Sequence, residues 1–206
     1  MTDAPYRIVT ERVVIRCYDP RDAPALKEAV DSSIDELRPW MPWALEEPQP
    51  LEQKVQLLRD FRSQFDRGEN FIYGLFSRDE SEVVGGSGLH GRVGEGALEI
   101  GYWIRSSRAG QGLATEVSAA LTRVGFDVCG ADRIEIHTEP ANERSMKIPL
   151  KLGYTEEARL RRRLYPVPGG EPRDAVIFSL FRSDYPGTPA ASAHLEAYDA
   201  LGERVL

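Results

Sequence analysis

The 206-residue chain has only two cysteines, Cys17 and Cys129, far apart and without metal-ligand spacing. Neither a disulfide framework nor a metal site is expected from them. No stretch approaches the ~20 apolar residues that a membrane-spanning helix needs. The start, Met1-Thr2-Asp3-Ala4-Pro5-Tyr6, lacks the basic-then-apolar order of a secretion signal. A soluble, cytoplasmic protein with no membrane partner is therefore expected. Basic residues form no block outside Arg159 to Arg163, and 26 Lys and Arg stand against 33 Asp and Glu, a formal charge of -7. A nucleic-acid footprint needs a sustained basic face, so no nucleic-acid partner is expected. The acidity suits an amine-bearing partner better, although it also serves solubility alone.

What the chain does contain is enough apolar content for one core and a punctuated series of elements. Arg12-Val13-Val14-Ile15-Arg16 is a β-branched strand, and Asp19-Pro20 opens a helical pattern reaching about Ser33. Two prolines in Leu37-Arg38-Pro39-Trp40-Met41-Pro42-Trp43 forbid regular helix there, and its tryptophans call for a packed loop. Val55, Leu58, Phe61 and Phe65 then recur at helical spacing up to Gly68. Three strands follow as an antiparallel meander: 71–76, 83–90 and 98–104. A helix over 113–128, a fifth strand over 133–138, a helix over 143–152 and two late strands, 155–163 and 175–181, complete a mixed α/β domain of residues 1–185. The turn between the late strands is Pro168-Gly169-Gly170-Glu171-Pro172. Residues 186–206 read as a linker and a short C-terminal helix or tail. That tail packs back on the domain, packs on a second subunit of a homodimer, or is disordered.

The segment Arg108-Ala109-Gly110-Gln111-Gly112-Leu113-Ala114-Thr115 lies between a strand and a helix start. Gly110 and Gly112 permit positive φ and close approach, and the helix end adds about half a positive charge, so the turn suits a pyrophosphate. Taken alone, it also suits a tight strand-to-helix connection.

Several segments in order resemble the GCN5-related N-acetyltransferase (GNAT) superfamily, in particular its RimJ/RimL-like branch of ribosomal-protein N-terminal acetyltransferases. They are Leu37 to Trp43, Gly88-Leu89-His90, Leu98 to Ile104, Gly110 to Glu116, Asn142-Glu143-Arg144-Ser145 and Lys151-Leu152-Gly153-Tyr154. They span about residues 8 to 183 and are specific jointly rather than singly. The resemblance implies a GNAT fold, α/β with a mostly antiparallel sheet splayed between the fourth and fifth strands and helices on both faces. It also implies acetyl-CoA, or another acyl-CoA, with its pantetheine in that splay beside Trp103 and Ile104 and its pyrophosphate on Arg108 to Thr115. Asn142 is implied to reach the pantetheine, while its residue type equally suits a cap for the next helix. Lys147, one turn on, is placed to meet adenosine phosphates. The family's Gln or Arg in this turn is Ala109 here, with Arg108 one residue early, so binding should rest on backbone donors.

Direct transfer from a thioester needs a neutral amine, hence a proton acceptor, and a donor for the departing thiolate. Glu99 matches a family position that often carries a catalytic glutamate, acting directly or through water, and an ion-paired strand residue is its structural alternative. The family's acidic tyrosine is Pro149 here, and Ser145 matches a serine kept near the CoA sulfur. Trp40 and Trp43 are expected to wall the acceptor site, with His90 beside it, and core packing explains the same residues. The expected activity is acyl transfer to a primary amine, most directly a protein or peptide N-terminus. Alternatives are a small-molecule amine acceptor (antibiotic, polyamine or amino-acid derivative) and a non-catalytic acyl-CoA sensor.

Overall fold

The computed structural model describes residues 4–164 and 171–206. Among them, the strands are β1 (Arg7–Val9), β2 (Val13–Cys17), β3 (Phe71–Ser77), β4 (Val83–His90), β5 (Ala97–Ile104), β6 (Arg133–Thr138), β7 (Thr155–Leu164), β8 (Arg173–Phe181) and β9 (Glu196–Tyr198). They form one sheet in the order β7-β8-β6-β5-β4-β3-β2-β1-β9. The helices are α1 (Ala23–Asp31), α2 (Ile34–Leu37), α3 (Leu51–Asp66), α4 (Leu113–Asp127) and α5 (Glu143–Leu152). β1 precedes the first strand read from the sequence, so the expected fourth and fifth strands are β5 and β6.

Side chains divide by strand alternation. Val13, Ile15, Tyr73, Leu75, Leu98, Ile100, Ile134 and Ile136 join Val117, Leu121 and Val124 of α4 in the larger core. The opposite face carries Val14, Phe76 and Val83 against Leu26, Ala29 and Val30 of α1 and Leu58 of α3. Helices therefore cover both faces, and the apolar residues of each amphipathic helix supply the matching half of the core.

Among the described residues β5 and β6 are the one parallel neighbour pair, and their register covers only Ala97↔Arg133, Leu98↔Ile134 and Glu99↔Glu135. Beyond it each strand keeps its outer partner: β5 stays on β4 as far as Gly85↔Ile104, and β6 stays on β8 through Thr138↔Val176. Two strand edges thus part from Ile100 and Ile136 onward, which is the expected splay.

The expected short C-terminal helix is replaced by a strand. β9 pairs antiparallel with β1, Ile8 opposite a fully buried Ala197. Gly202, at φ +79°, turns the chain back so that Val205 N–H donates to Ala197 O at 2.8 Å and Ala197 N–H to Leu206 O at 3.1 Å. A free strand edge offers these residues paired backbone bonds, whereas an isolated helix this short is marginal. Of the three fates considered for the tail, packing on its own domain is the one observed. Residues 168–170 of the expected late turn lie outside the described residues.

The loop between α2 and α3 holds a 3-10 turn, Pro42–Glu46. It is fastened by an ion pair between Glu47 and Lys54, both almost fully buried. Arg38 adds a hydrogen bond to Glu47 O at 2.8 Å. The tryptophan loop is packed only in part: Leu37, Ala44 and Glu47 are buried, whereas Trp43 is 38% exposed.

Candidate active site

A cleft of about 850 Å³ lies along the parted end of β5, between it, the glycine turn and the start of α5. Its lining joins Trp40 of the tryptophan loop, Trp103 and Ile104 of β5, Arg108, Ala109, Gly110, Gly112, Leu113, Ala114 and Thr115 of the glycine turn, and Asn142, Ser145 and Lys147 at the start of α5. Residues spread over a hundred positions thus meet in one place. Gln111 is not on the lining and donates from Nε2 to Ser107 O at 3.3 Å. Glu99, His90 and Trp43 also lie outside it.

The glycine turn has the conformation an anion cradle needs. Gly110 and Gly112 sit at φ +75° and +83°, and a Cβ on Gly110 would meet open space. The first N–H of α4 with an intrahelical acceptor is that of Glu116, on Gly112 O at 3.1 Å. The amides of Leu113, Ala114 and Thr115 therefore point out of the helix start into the cleft. Arg108 does not substitute for the missing Gln or Arg, because its guanidinium is held by Glu82 at 2.5 Å. Arg12, unnoticed in the sequence, clamps the turn from behind: Nη1 donates to Gln111 O at 2.6 Å and Nε to Glu116 at 2.5 Å.

On the α5 side, Asn142 caps the helix, its Oδ1 accepting from Ser145 N–H at 3.1 Å. Arg144, Lys147 and Lys151 all line the cleft and form a row of three cations at spacings of three and four. Such spacing places side chains on one helix face. It was present in the sequence, but only Lys147 was drawn from it. In a chain of charge -7, this row beside the free amides fits a ligand carrying several phosphates.

Ser145 meets a hydroxyl that sequence reasoning did not pair with it. Tyr102 Oη lies 2.9 Å from Ser145 Oγ, and both line the cleft. Burial pushes the Tyr102 phenol up to about 12, with the Ser145 bond opposing the rise. It stays protonated at neutral pH. The strand thereby sets a tyrosine hydroxyl against Ser145 of α5.

On the opposite face of the sheet, Glu99, Gly101 and Trp103 alternate along β5, facing His90, Gly88 and Gly86 of β4. A Cβ on Gly86 would lie 2.5 Å from Trp103 Nε1, so glycine there lets the indole lie on the sheet. Trp43 packs edge-on against Trp103, ring centroids 5.8 Å apart. Gly88 and Gly101 are direct cross-strand partners, leaving a strip with no side chain of its own between Trp103 and Glu99. The His90 imidazole lies over it, 2.7 Å from where a Gly88 Cβ would be.

Glu99 is buried and held by Arg92 through two bonds, Nε to Oε2 at 2.7 Å and Nη2 to Oε1 at 2.6 Å. Burial raises its carboxyl, but Arg92, with His137 and His90 nearby, outweighs burial and holds it below the ordinary carboxylate value. His90 is brought down to about 4 by burial, with the Arg92 charge adding to the effect. Its Nδ1 lies 2.6 Å from Asn70 Oδ1, an acceptor, so Nδ1 carries the proton and Nε2 the lone pair.

The sequence matches the family model described as acetyltransferase (GNAT) domain over residues 12–155. The chain belongs to the GNAT acetyltransferases. As a GNAT enzyme it is an acetyl-CoA-dependent N-acetyltransferase, and the parted strands, free amides and cation row fit that ligand. It is similar to the [ribosomal protein uS5]-alanine N-acetyltransferase of Escherichia coli (strain K12), 29% identical over 184 residues, which cover 87% of this chain and 92% of the relative. It is 28% identical to the uncharacterized N-acetyltransferase YoaA of Bacillus subtilis (strain 168) over 84% of this chain and 95% of that protein. Among solved structures, Mycobacterium smegmatis RimJ in complex with CoA-disulfide aligns with a TM-score of 0.76 and 26% identity, covering 92% of this chain and 91% of that one. A RimL ribosomal L7/L12 alpha-N-protein acetyltransferase shares the fold, with a TM-score of 0.76 at 21% identity over 84% of this chain and 96% of that one. Among the described residues, this GNAT chain has no helix long and apolar enough to cross a membrane.

Proposed function

We propose that this enzyme acetylates the N-terminal amine of a protein or peptide in the cytoplasm. The observation that carries the reading is the Gly88 and Gly101 pair. It leaves a strip of sheet without side chains of its own, with the His90 imidazole over it, leading from the Trp43–Trp103 corner to Glu99. An extended peptide can lie across such a strip, and the aromatic corner can grip its first side chains. The similarity to an enzyme named for alanine acetylation of a ribosomal protein supports the same acceptor class.

In this reading the amides of Leu113 to Thr115, with Gly110 and Gly112, bind the pyrophosphate, and Arg144, Lys147 and Lys151 meet the remaining phosphates. The edges of Trp103 and Ile104 on β5 would pair with the pantetheine, which Asn142 would also reach. When bound, acetyl-CoA would supply the thioester, its acetyl group going to the amine and its sulfur being the leaving group. Tyr102 donates to Ser145, and Ser145 donates toward the departing sulfur, a hydrogen bond that strengthens as negative charge develops there. Glu99 is the carboxylate on the acceptor side toward which the amine releases its proton. Trp40 walls the cleft mouth, and His90 floors the acceptor strip.

The test is turnover with acetyl-CoA against a panel of peptides differing at their first residues and a panel of small amines, with products read by mass spectrometry. Acetylation of peptide N-termini at rates well above any small amine is expected. Turnover confined to small amines would replace the acceptor assignment.

A further inference from the structure

We infer that His137, oriented by Glu135, is the relay residue that removes the acceptor's proton from Glu99 and passes it to solvent. The inference rests on Glu99 lying at the acceptor amine, as proposed above. Three observations carry it.

The first is position. Glu99 and Glu135 are register partners at the last paired step of β5 and β6, and each side chain is only 9% exposed. His137 follows two residues later on the parted strand and points to the same face, since Ile134 and Ile136 enter the core on the other. At 27% exposed it is the open member of the three, and so the one with an outlet to water.

The second is orientation. Glu135 is paired with Arg133, whose Nε donates to Oε1 at 2.7 Å. The other oxygen of Glu135 lies 2.6 Å from His137 Nε2. A paired carboxylate accepts, so Nε2 carries the hydrogen and Nδ1 presents its lone pair. Nδ1 faces Glu99 Oε2 at 3.9 Å, too far for a hydrogen bond and close enough for an ion pair. In the neutral state a lone pair confronts a carboxylate across that gap; a proton on Nδ1 turns the same contact into an attraction.

The third is charge. Two buried carboxylates side by side need compensation. Arg92 supplies it at Glu99 and Arg133 at Glu135, and the imidazole lies between them. From neighbouring elements, His90 of β4 is opposite Glu99, and Glu157 of β7 accepts from Ser179, the β8 partner of Glu135. Because Arg92 keeps Glu99 ionised, a proton arriving on Glu99 does not rest there. It moves on to Nδ1 across the gap, through a bridging water or a small closure of the ring.

The balance closes. An ammonium acceptor loses one proton through Glu99 and His137 to solvent. It loses a second on forming the amide, matching the proton taken up by the sulfur.

The test has a readout independent of turnover. In the protein without ligand, ¹⁵N NMR of the histidine rings should show His137 with hydrogen on Nε2, and Glu135→Gln should shift it toward the other tautomer. In kinetics on whichever amine the wild type accepts best, His137→Ala should lower kcat by roughly 10- to 1000-fold. KM for acetyl-CoA should stay unchanged, and added imidazole should restore part of kcat. A wild-type-like kcat in His137→Ala, or a loss that imidazole does not relieve, overturns the relay. Neither result bears on whether the acceptor is a peptide, which the panel decides separately.

Discussion

Tyr102 and Ser145 are joined by a 2.9 Å hydrogen bond between β5 and α5, so two hydroxyls form one donor chain at the mouth of the splay. In the proposed mechanism Ser145 is the terminal donor and Tyr102 its support. Ser145→Ala is expected to lower kcat about tenfold or more, and Tyr102→Phe by less, with KM for acetyl-CoA little changed in both. Steady-state kinetics decides. Equal changes in kcat and KM would reduce Ser145 to a binding residue.

Gly112 occupies φ +83° with Arg12 Nη2 3.4 Å from where a Cβ would stand. Gly112→Ala should cost about 1–2 kcal/mol of stability from the left-handed backbone. It should also weaken acetyl-CoA binding by tilting the amides of Leu113 to Thr115. Calorimetric titration beside a urea melt separates the two effects, and unchanged affinity would place the pyrophosphate elsewhere.

The cation row of α5 predicts an ionic-strength signature. Replacing Lys147 or Arg144 by Ala should raise KM for acetyl-CoA roughly two- to fivefold at low salt, with the difference shrinking as salt is added. A salt-independent effect would mean that these side chains act by packing.

His90 sets a pH window. Its folded value of about 4 lies below the ordinary imidazole value of 6.5. Between them the unfolded chain binds the extra proton, so unfolding free energy falls as pH drops from 6.5 toward 4. At about 1.36 kcal/mol per pH unit the loss is on the order of 1–3 kcal/mol. His90→Gln should flatten that part of the profile relative to wild type. Urea melts at pH 7 and pH 5 show it, and parallel profiles for the two proteins would refute it.

The ion pair of Glu47 and Lys54 leaves each partner buried. Lys54→Met alone should destabilise by roughly 3–5 kcal/mol, because it strands a buried carboxylate, while Lys54→Met with Glu47→Leu should recover much of that. Thermal melts of the single and double variants provide the comparison.

Where the sequence was readable and where it was not follows from the range of the forces involved. Helix α3 and strand β4 were legible because Val55, Leu58, Phe61 and Phe65 repeat at helical spacing and because Gly68 and the Asp79-Glu80 turn mark boundaries. The glycine turn was legible because its backbone demands are local. The pairing of Tyr102 with Ser145, the approach of Arg12 to Gln111 and the Glu99–His137–Glu135 group were not. Each joins side chains of separate elements, and only strand register and the divergence of β5 from β6 decide that they meet. β9 escaped for the same reason. Three residues carry almost no periodicity, and its stability comes from the edge of β1 rather than from its own composition.

That edge has a further consequence. A sheet of nine strands leaves two rims, and a rim of unpaired amides recruits other chains. The β1 rim is closed by only three residues, which the chain then folds back upon through Tyr198 and Arg204. Residues 196–206 therefore cover the backbone edge of β1, and trimming them is expected to leave that edge unpaired.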